Sequence, residues 1–491
     1  MVVSAAHPTT AHMASVKKNI ILNGINTISG IIFPVITFPY AARILSPDGI
    51  GAVNFLNSVI SYIILLTSLG IPLYAVKEIA RYRDDKQNRD KVTVEIIILT
   101  TALCLLGYIG VWLLARFVPQ IHSQSGLFYL LSLSIIFNSL GVNWFYQGIE
   151  DFKFITIRAI IVRTLAAAAL FIFVKNHSDL FYYGIIIVAS TVGNNILNFT
   201  HLRKHIGFSN IRFRELNFTR HISPALQVFA FNLITSLYIQ LNSVMLGFIS
   251  GDTETGYFTA GTKITHIALT FIVSIGTVML PRCSHLLKAG DMESFSSVIN
   301  KSLRLTLGLS LPICFGLILL ATPVTVIFCG PEYIPAIPVV YFNAPVIIFI
   351  SITNVMGIQI LFPMDKIRLV IWSVSGGAAV NLILNFMLIP PFGAIGAAIS
   401  TFFAELAVLL IQIIWGKEYY PFKISALFQP SYIIATLTMI CAVATICFIT
   451  GDIVMQLIFG TLFGAFVYFG TLTVMKDSLC LEMLSAIKRK L

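Results

Sequence analysis

The stretch TGYFTAGTKITHIALTFIVSIGTVMLP, residues 255–281, decides how the rest of the chain is read. It is almost wholly apolar or small, and it exceeds the ~20 helical residues that a bilayer core requires. Yet Lys263 and His266 stand one helical turn apart within it. A lysine near the middle of a membrane helix costs roughly 2.5–3.5 kcal/mol on insertion scales. Either its stem snorkels to the outer interface, since two turns are only about 11 Å, or the ammonium serves a ligand.

The composition around this stretch is of the same kind. Of 491 residues, 57% are hydrophobic and 11% charged, against about 25% charged in soluble proteins. Long apolar runs recur at about 18–42, 51–76, 92–117, 125–148, 154–174, 180–202, 222–250, 255–281, 299–320, 336–362, 367–390, 393–415, 431–449 and 453–475. Continuous runs of this length predict helices; a transmembrane barrel would show short alternating segments. The expectation is an all-α polytopic membrane protein with about fourteen transmembrane helices.

The segment 1–16, MVVSAAHPTTAHMASV, is polar and lacks the apolar core of a signal peptide. Its AHMAS portion resembles a cloning remnant, which would put the native start near Lys17. Seven scattered cysteines form no CxxC pair and read as small buried hydrophobes. The net charge of +11 does not point to nucleic acid, because Lys and Arg crowd alternate connections. Lys77–Lys91, the 203–221 segment and Arg282–Arg304 are rich in them, while the other side has only Arg43, Arg116 and Lys175. By the positive-inside rule both termini are cytoplasmic, and the basic excess also attracts anionic membrane lipid.

The longest connection, 203–221, falls near mid-chain and invites a search for repeats. At a shift of roughly 209 residues NGINT (23–27) meets NLITS (232–236), and GAVNF (51–55) faces GYFTA (256–260) in the same order. QGIEDFKFITIRAI (147–160) likewise resembles QILFPMDKIRLVIW (359–372). Two six-helix lobes related by a parallel repeat follow, with two further helices at the end. The divisions are a polar segment 1–16, an N-terminal lobe 17–204, a basic cytoplasmic linker 205–221, a C-terminal lobe 222–416, and helices 13 and 14 with the tail in 417–491.

Polar stripes run along the repeated helices. Asn232, Ser236, Gln240 and Ser243 share one face of the seventh span; Gly256, Thr259, Lys263, His266, Thr270, Ser274 and Thr277 share one of the eighth. Asn23, Thr27, Gly30, Pro34 and Thr37 line the first, and Gly51, Asn54, Ser58 and Ser61 the second. Small and polar residues also glue membrane helices together. The Asn, Gln, Lys and His positions favour a hydrated cavity between the bundles.

No GxxxxGK[ST] loop, HExxH or paired-cysteine motif occurs, so neither that route of ATP hydrolysis nor a metal site is expected, and no cofactor is implied. Connections of about 4–16 residues on the outer side are too short for the acceptor site of a glycan polymerase, so transport is expected rather than catalysis. A cavity holding Lys263, His266, Arg43 and Arg163 with few acids selects anions, phosphate or diphosphate above all. Arg158 reads as an interfacial, snorkelling cation. Glu405 reads as the one acid well inside a span, and with His266 it is the candidate for ion or proton coupling.

ITFPYAARILSPDGIGAVNFLNS (36–58), LGIPLYAVKEIARYRDD (69–85), NWFYQGIEDFKFITIRAI (143–160) and GYFTAGTKI (256–264) together resemble a known family. It is the polysaccharide transporter branch of the multidrug/oligosaccharidyl-lipid/polysaccharide exporter superfamily, the Wzx-like flippases of O-antigen or capsule repeat units. The likeness covers about residues 17–476. It implies two six-helix lobes in a V shape, working by alternating access in the bacterial inner membrane. The implied cargo is an undecaprenyl-diphosphate-linked oligosaccharide, carried by a monomer that serves a polysaccharide polymerase and a chain-length regulator. Related lipid II flippases use arginines in spans 1, 2 and 8. Here only Lys263 approaches that pattern, with Arg43 at the end of span 1 and no arginine within span 2. The alternatives are a multidrug or cation antiporter of the same fold, a lipid II-type flippase, or a membrane enzyme acting on lipid-linked glycans.

Overall fold

The computed structural model describes residues 10–207, 215–477 and 480–482, and among them the chain is helical with no strand. The helices are α1 (Thr10–Ser68), α2 (Ile71–Arg81), α3 (Lys86–Phe117), α4 (Pro119–His122), α5 (Ser125–Ser139), α6 (Asn143–Gly148), α7 (Phe152–Phe173) and α8 (Leu180–Leu202). They continue with α9 (Thr219–Ile249), α10 (Asp252–Lys288), α11 (Met292–Leu319), α12 (Ala321–Cys329), α13 (Ile337–Asn354), α14 (Ile367–Gly416), α15 (Pro430–Ile449) and α16 (Ile453–Val474). The fold is that of a polytopic α-helical membrane protein. Eleven stretches among the described residues are long and apolar enough to cross a bilayer, against the expected fourteen or so. Two of them, Gly24–Ser68 and Ile367–Tyr419, each cover two of the expected spans. The apolar part of α9, Ile239–Ile249, is shorter than a span.

A backbone break divides each of those two stretches into two spans. Within α1, Ser46 leaves helical geometry at φ 58° and ψ 173°, where Pro47 disfavours a helical residue before it. Within α14, Gly393 does so at φ 51° and ψ −127°, just after Pro390 and Pro391. The second expected span, 51–76, is corrected as well. It ends at Ser68; Leu69 and Gly70 turn at φ 44° and 71°, and α2 starts afresh with Pro72 in its first turn. A Cβ on Gly70 would lie 2.5 Å from the Phe229 amide nitrogen, so the α9 backbone packs directly on this turn.

The chain divides into two compact units. Unit 1 takes Met1–Leu45 and Phe55–Ser236; unit 2 takes Ser46–Asn54 and Leu237–Leu491. Unit 1 is built on a core that includes Ile79, Val92, Phe145 and Tyr146, closed by Gly148, whose missing side chain lets α6 press on Ile79 of α2. Unit 2 has its main core around Phe295, Ile299, Met356, Tyr432 and Tyr468. Five cysteines are buried as expected, but Cys441 is exposed and Cys447 only half-buried, on the apolar surface of α15.

Inside unit 2 the two repeated glycines meet. A Cβ on Gly51 would fall 1.7 Å from the Asp252 carbonyl oxygen, and one on Gly256 would fall 1.9 Å from that of Pro47. The residues opening GAVNF and GYFTA are therefore backbone-to-backbone contacts, a closeness that membrane helices reach through small residues.

Candidate functional site

The residues singled out from the sequence separate into local groups. In unit 2, α10 carries Lys263 and His266 on an exposed face, while Gly256 and Thr259 nearer its start are buried. Lys263 makes no hydrogen bond or ion pair among the described residues. His266 lines a small cleft of about 20 Å³ with Thr262, Asn343 and Thr401. There the Asn343 Nδ2 donates to Thr262 Oγ1 at 3.3 Å, and the Asn343 Oδ1 is buried and unpartnered. Ser58, the counterpart of Lys263 in the repeat, is buried.

Asn54 and Ser243 use their polar groups on one another, Nδ2 to Oγ at 2.9 Å, and so act as packing glue inside unit 2. Gln240 is half-buried. Glu405 is 6% exposed in the second half of α14. A polar ladder that sequence reading did not single out lies in the same unit. Asn385 Nδ2 donates to Asn242 Oδ1 at 2.7 Å and to Asn381 Oδ1 at 3.1 Å, and Asn242 Nδ2 donates to Thr401 Oγ1 at 2.8 Å. Asn381 and Asn385 are one turn apart, a spacing that could have signalled it.

In unit 1, Arg163 of α7 reaches α1. Its Nη1 donates to the Asn26 carbonyl at 3.0 Å, to Asn26 Oδ1 at 3.1 Å and to Ser29 Oγ. Gly30 lies beside the guanidinium, and a Cβ there would meet Nη2 at an ordinary contact distance of 3.5 Å. The stripe expected on span 1 named Thr27 and Gly30 but missed Asn26 and Ser29. Arg43 is exposed, and the Asn232 side chain is half-buried; the Asn23 side chain lies outside the described residues. Arg158 is not a surface cation as expected: it is 7% exposed, held by Asn143 Oδ1 at 3.3 Å, with Nε and Nη1 buried and unpartnered.

Glu405 is also not alone as a buried acid. Glu95 in α3 is fully buried and forms the densest ionic cluster of unit 1. Its Oε1 accepts the Asn217 amide at 2.7 Å; its Oε2 accepts Arg220 Nε at 2.9 Å and His221 Nε2 at 2.8 Å. His221 Nδ1 lies 2.8 Å from the Tyr74 hydroxyl. Burial pushes His221 below the ordinary histidine value, outweighing the pull of Glu95. The cluster ties α2, α3 and the start of α9 together where the basic linker rejoins the helices.

Long apolar helices packed around buried amide ladders define a polytopic membrane protein with polar groups held between its helices. Solved structures carry the same fold. "Lipid II flippase MurJ, inward closed conformation" matches with a TM-score of 0.72 at 15% identity, covering 94% of this chain and 99% of that one. An inward-facing multidrug resistance MATE family transporter matches at 0.64 and 15% identity, over 84% and 99%. A relative from Escherichia coli K12, named "Putative O-antigen transporter", is 25% identical over 82% of this chain and 97% of its own length. One of the same name from Shigella dysenteriae is 27% identical over 81% and 99%. The model of the family described as polysaccharide biosynthesis protein matches residues 16–287. The chain belongs to that family.

Proposed function

We propose that the chain flips lipid-linked oligosaccharide repeat units from the cytoplasmic to the outer leaflet of the bacterial inner membrane, with both its termini in the cytoplasm. The observation that carries this reading is the end-to-end likeness to relatives that bear the O-antigen transporter name, over 97% and 99% of their lengths. A polyprenyl-diphosphate carrier for the repeat unit agrees with Lys263, which makes no hydrogen bond or ion pair among the described residues. Arg43 and Arg163, with Asn23, Asn54, Asn232 and Gln240, are the further candidates for contacts to diphosphate and sugar. His266 and Glu405 are the candidates for proton or cation coupling by alternating access, since net uphill flipping requires an energy source.

The test replaces Lys263 by alanine and measures flipping of the native lipid-linked glycan in reconstituted vesicles. Strong loss of flipping with normal insertion is expected; full activity would remove Lys263 from the reading. The flippase reading itself is tested by deleting the gene. The predicted outcome is a lipid-linked glycan held on the cytoplasmic face, and an unchanged glycan distribution would overturn it.

A further inference from the structure

Unit 1 contains a cavity of about 320 Å³ that the sequence reading did not foresee. It exists because two helices break beside each other: α1 ends at Ser68 before the Leu69–Gly70 turn, and α5 ends at Ser139 before α6 restarts at Asn143. Breaks of this kind inside a membrane protein are tolerated where the backbone is buried in protein or lines a cavity. Gly141 stands at the second break because a Cβ would meet Asn195 Oδ1 at 2.5 Å.

The lining mixes apolar side chains such as Ile71, Leu73 and Val76 with hydroxyls and amides, and carries no charge. The side-chain amides of Asn138 and Gln147 make no hydrogen bond among the described residues. Asn143 gives its carbonyl oxygen to Arg158 at 3.3 Å, which leaves its Nδ2 as an uncommitted donor. The hydroxyls work in the opposite sense. Thr67 donates to the Ile63 carbonyl at 2.9 Å, Thr100 to Ile96 at 2.8 Å and Ser139 to Ile136 at 2.7 Å. Their protons are committed to their own helices, so toward the cavity they are acceptors. Trp144 adds an aromatic wall.

Amide donors, hydroxyl acceptors and one indole suit a ligand whose own hydroxyls both donate and accept and whose ring has apolar C–H faces. Lipid phosphate and free phosphate call for a cation, and the lining has none. The volume lies at the small end of the roughly 300–1,000 Å³ typical of ligand sites, room for one ring rather than a repeat unit. The breaks lead into α2 and α6, next to helix ends that carry Lys77, Arg81, Lys86 and Lys153, on the side that the positive-inside rule gives to the cytoplasm. We infer that this cavity is a subsite for a single neutral sugar residue of the cargo, occupied while the glycan is loaded. The inference rests on the flippase reading and adds to it the part of the cargo recognised first.

The probe is Trp144 itself. Trp112, Trp372 and Trp415 are exposed, so W112F/W372F/W415F leaves one indole, in the cavity wall. Purified full-length protein is titrated with D-glucose, D-galactose, D-mannose, L-rhamnose and N-acetyl-D-glucosamine, with D-glucuronate and inorganic phosphate as charged controls. A saturable change in emission with at least one neutral sugar is expected. N138L/Q147L should weaken it by roughly tenfold, the worth of two lost hydrogen bonds. No saturable change with any neutral sugar, an equal response to the charged controls, or an undiminished response in N138L/Q147L overturns the inference. In parallel, cells lacking the gene receive the single-tryptophan protein. Restored glycan export beside a failed titration removes the subsite and leaves the flippase reading. Failure of the wild-type chain to restore export removes that reading, whatever the sugars do.

Discussion

At the scale of single residues, the cations of this chain fall into two kinds, and partners decide which. Arg163 commits its Nη1 to Asn26 and Ser29, whereas Lys263 stands exposed without a hydrogen bond or ion pair among the described residues. Replacing Arg163 by alanine should therefore loosen the α7–α1 contact and lower the thermal midpoint of the purified protein. Lys263→Ala should leave that midpoint unchanged while flipping fails, and comparing the two midpoints checks the assignment. Glu95 is more sensitive than either. Removing its carboxylate leaves the buried His221 and the Asn217 amide without their acceptor, so Glu95→Ala should cost about 1–3 kcal/mol, seen as a lower thermal midpoint of the purified protein. His221 supplies a pH dependence with a definite sign. Its folded pKa lies below the unfolded one, so between the two the unfolded chain binds the extra proton and stability rises with pH. Lowering the pH from above 7 toward about 5.5, through the ordinary histidine range, is expected to lower the thermal midpoint, and His221→Gln, facing the same Glu95, Arg220, Glu78 and Tyr74, should flatten that slope.

At the scale of elements, glycine positions govern. Gly51→Ala or Gly256→Ala places a methyl group against a backbone carbonyl that has no rotamer to move. Each should abolish monodisperse protein, whereas Gly24→Ala, with nothing near its Cβ direction, should be silent in the same chromatographic assay. These glycines also mark what a reader of sequence can and cannot see. Their repetition was visible as GAVNF and GYFTA, but their contact with each other required the fold. The apolar runs gave the helices because bilayer thickness imposes one length on all of them. The interruptions at Leu69–Gly70 and at Gly141–Val142 hid inside apolar surroundings, since a break needs only one or two residues and leaves hydropathy unchanged. With those turns hidden, the cavity they open was hidden too. Glu95 escaped notice for a related reason: three residues inside an expected span it reads as interfacial, and only the return of residues 217–221 buries it.

At the scale of the whole molecule, sequence order and spatial grouping disagree in one place. Residues 46–54 belong with unit 2, although unit 1 claims the chain on both sides of them. Their partners, around Asp252 and Gly256, are encoded some two hundred positions later. At about 5–20 residues per second of synthesis, the Ser46–Asn54 segment waits roughly 10–40 s in the membrane before its mate leaves the ribosome. During that interval its bare glycine backbone is open to any neighbouring helix. Biogenesis of this transporter therefore contains a timing step, and translation slowed between codons 55 and 252 should lower the yield of correctly assembled chains more than equal slowing after codon 300.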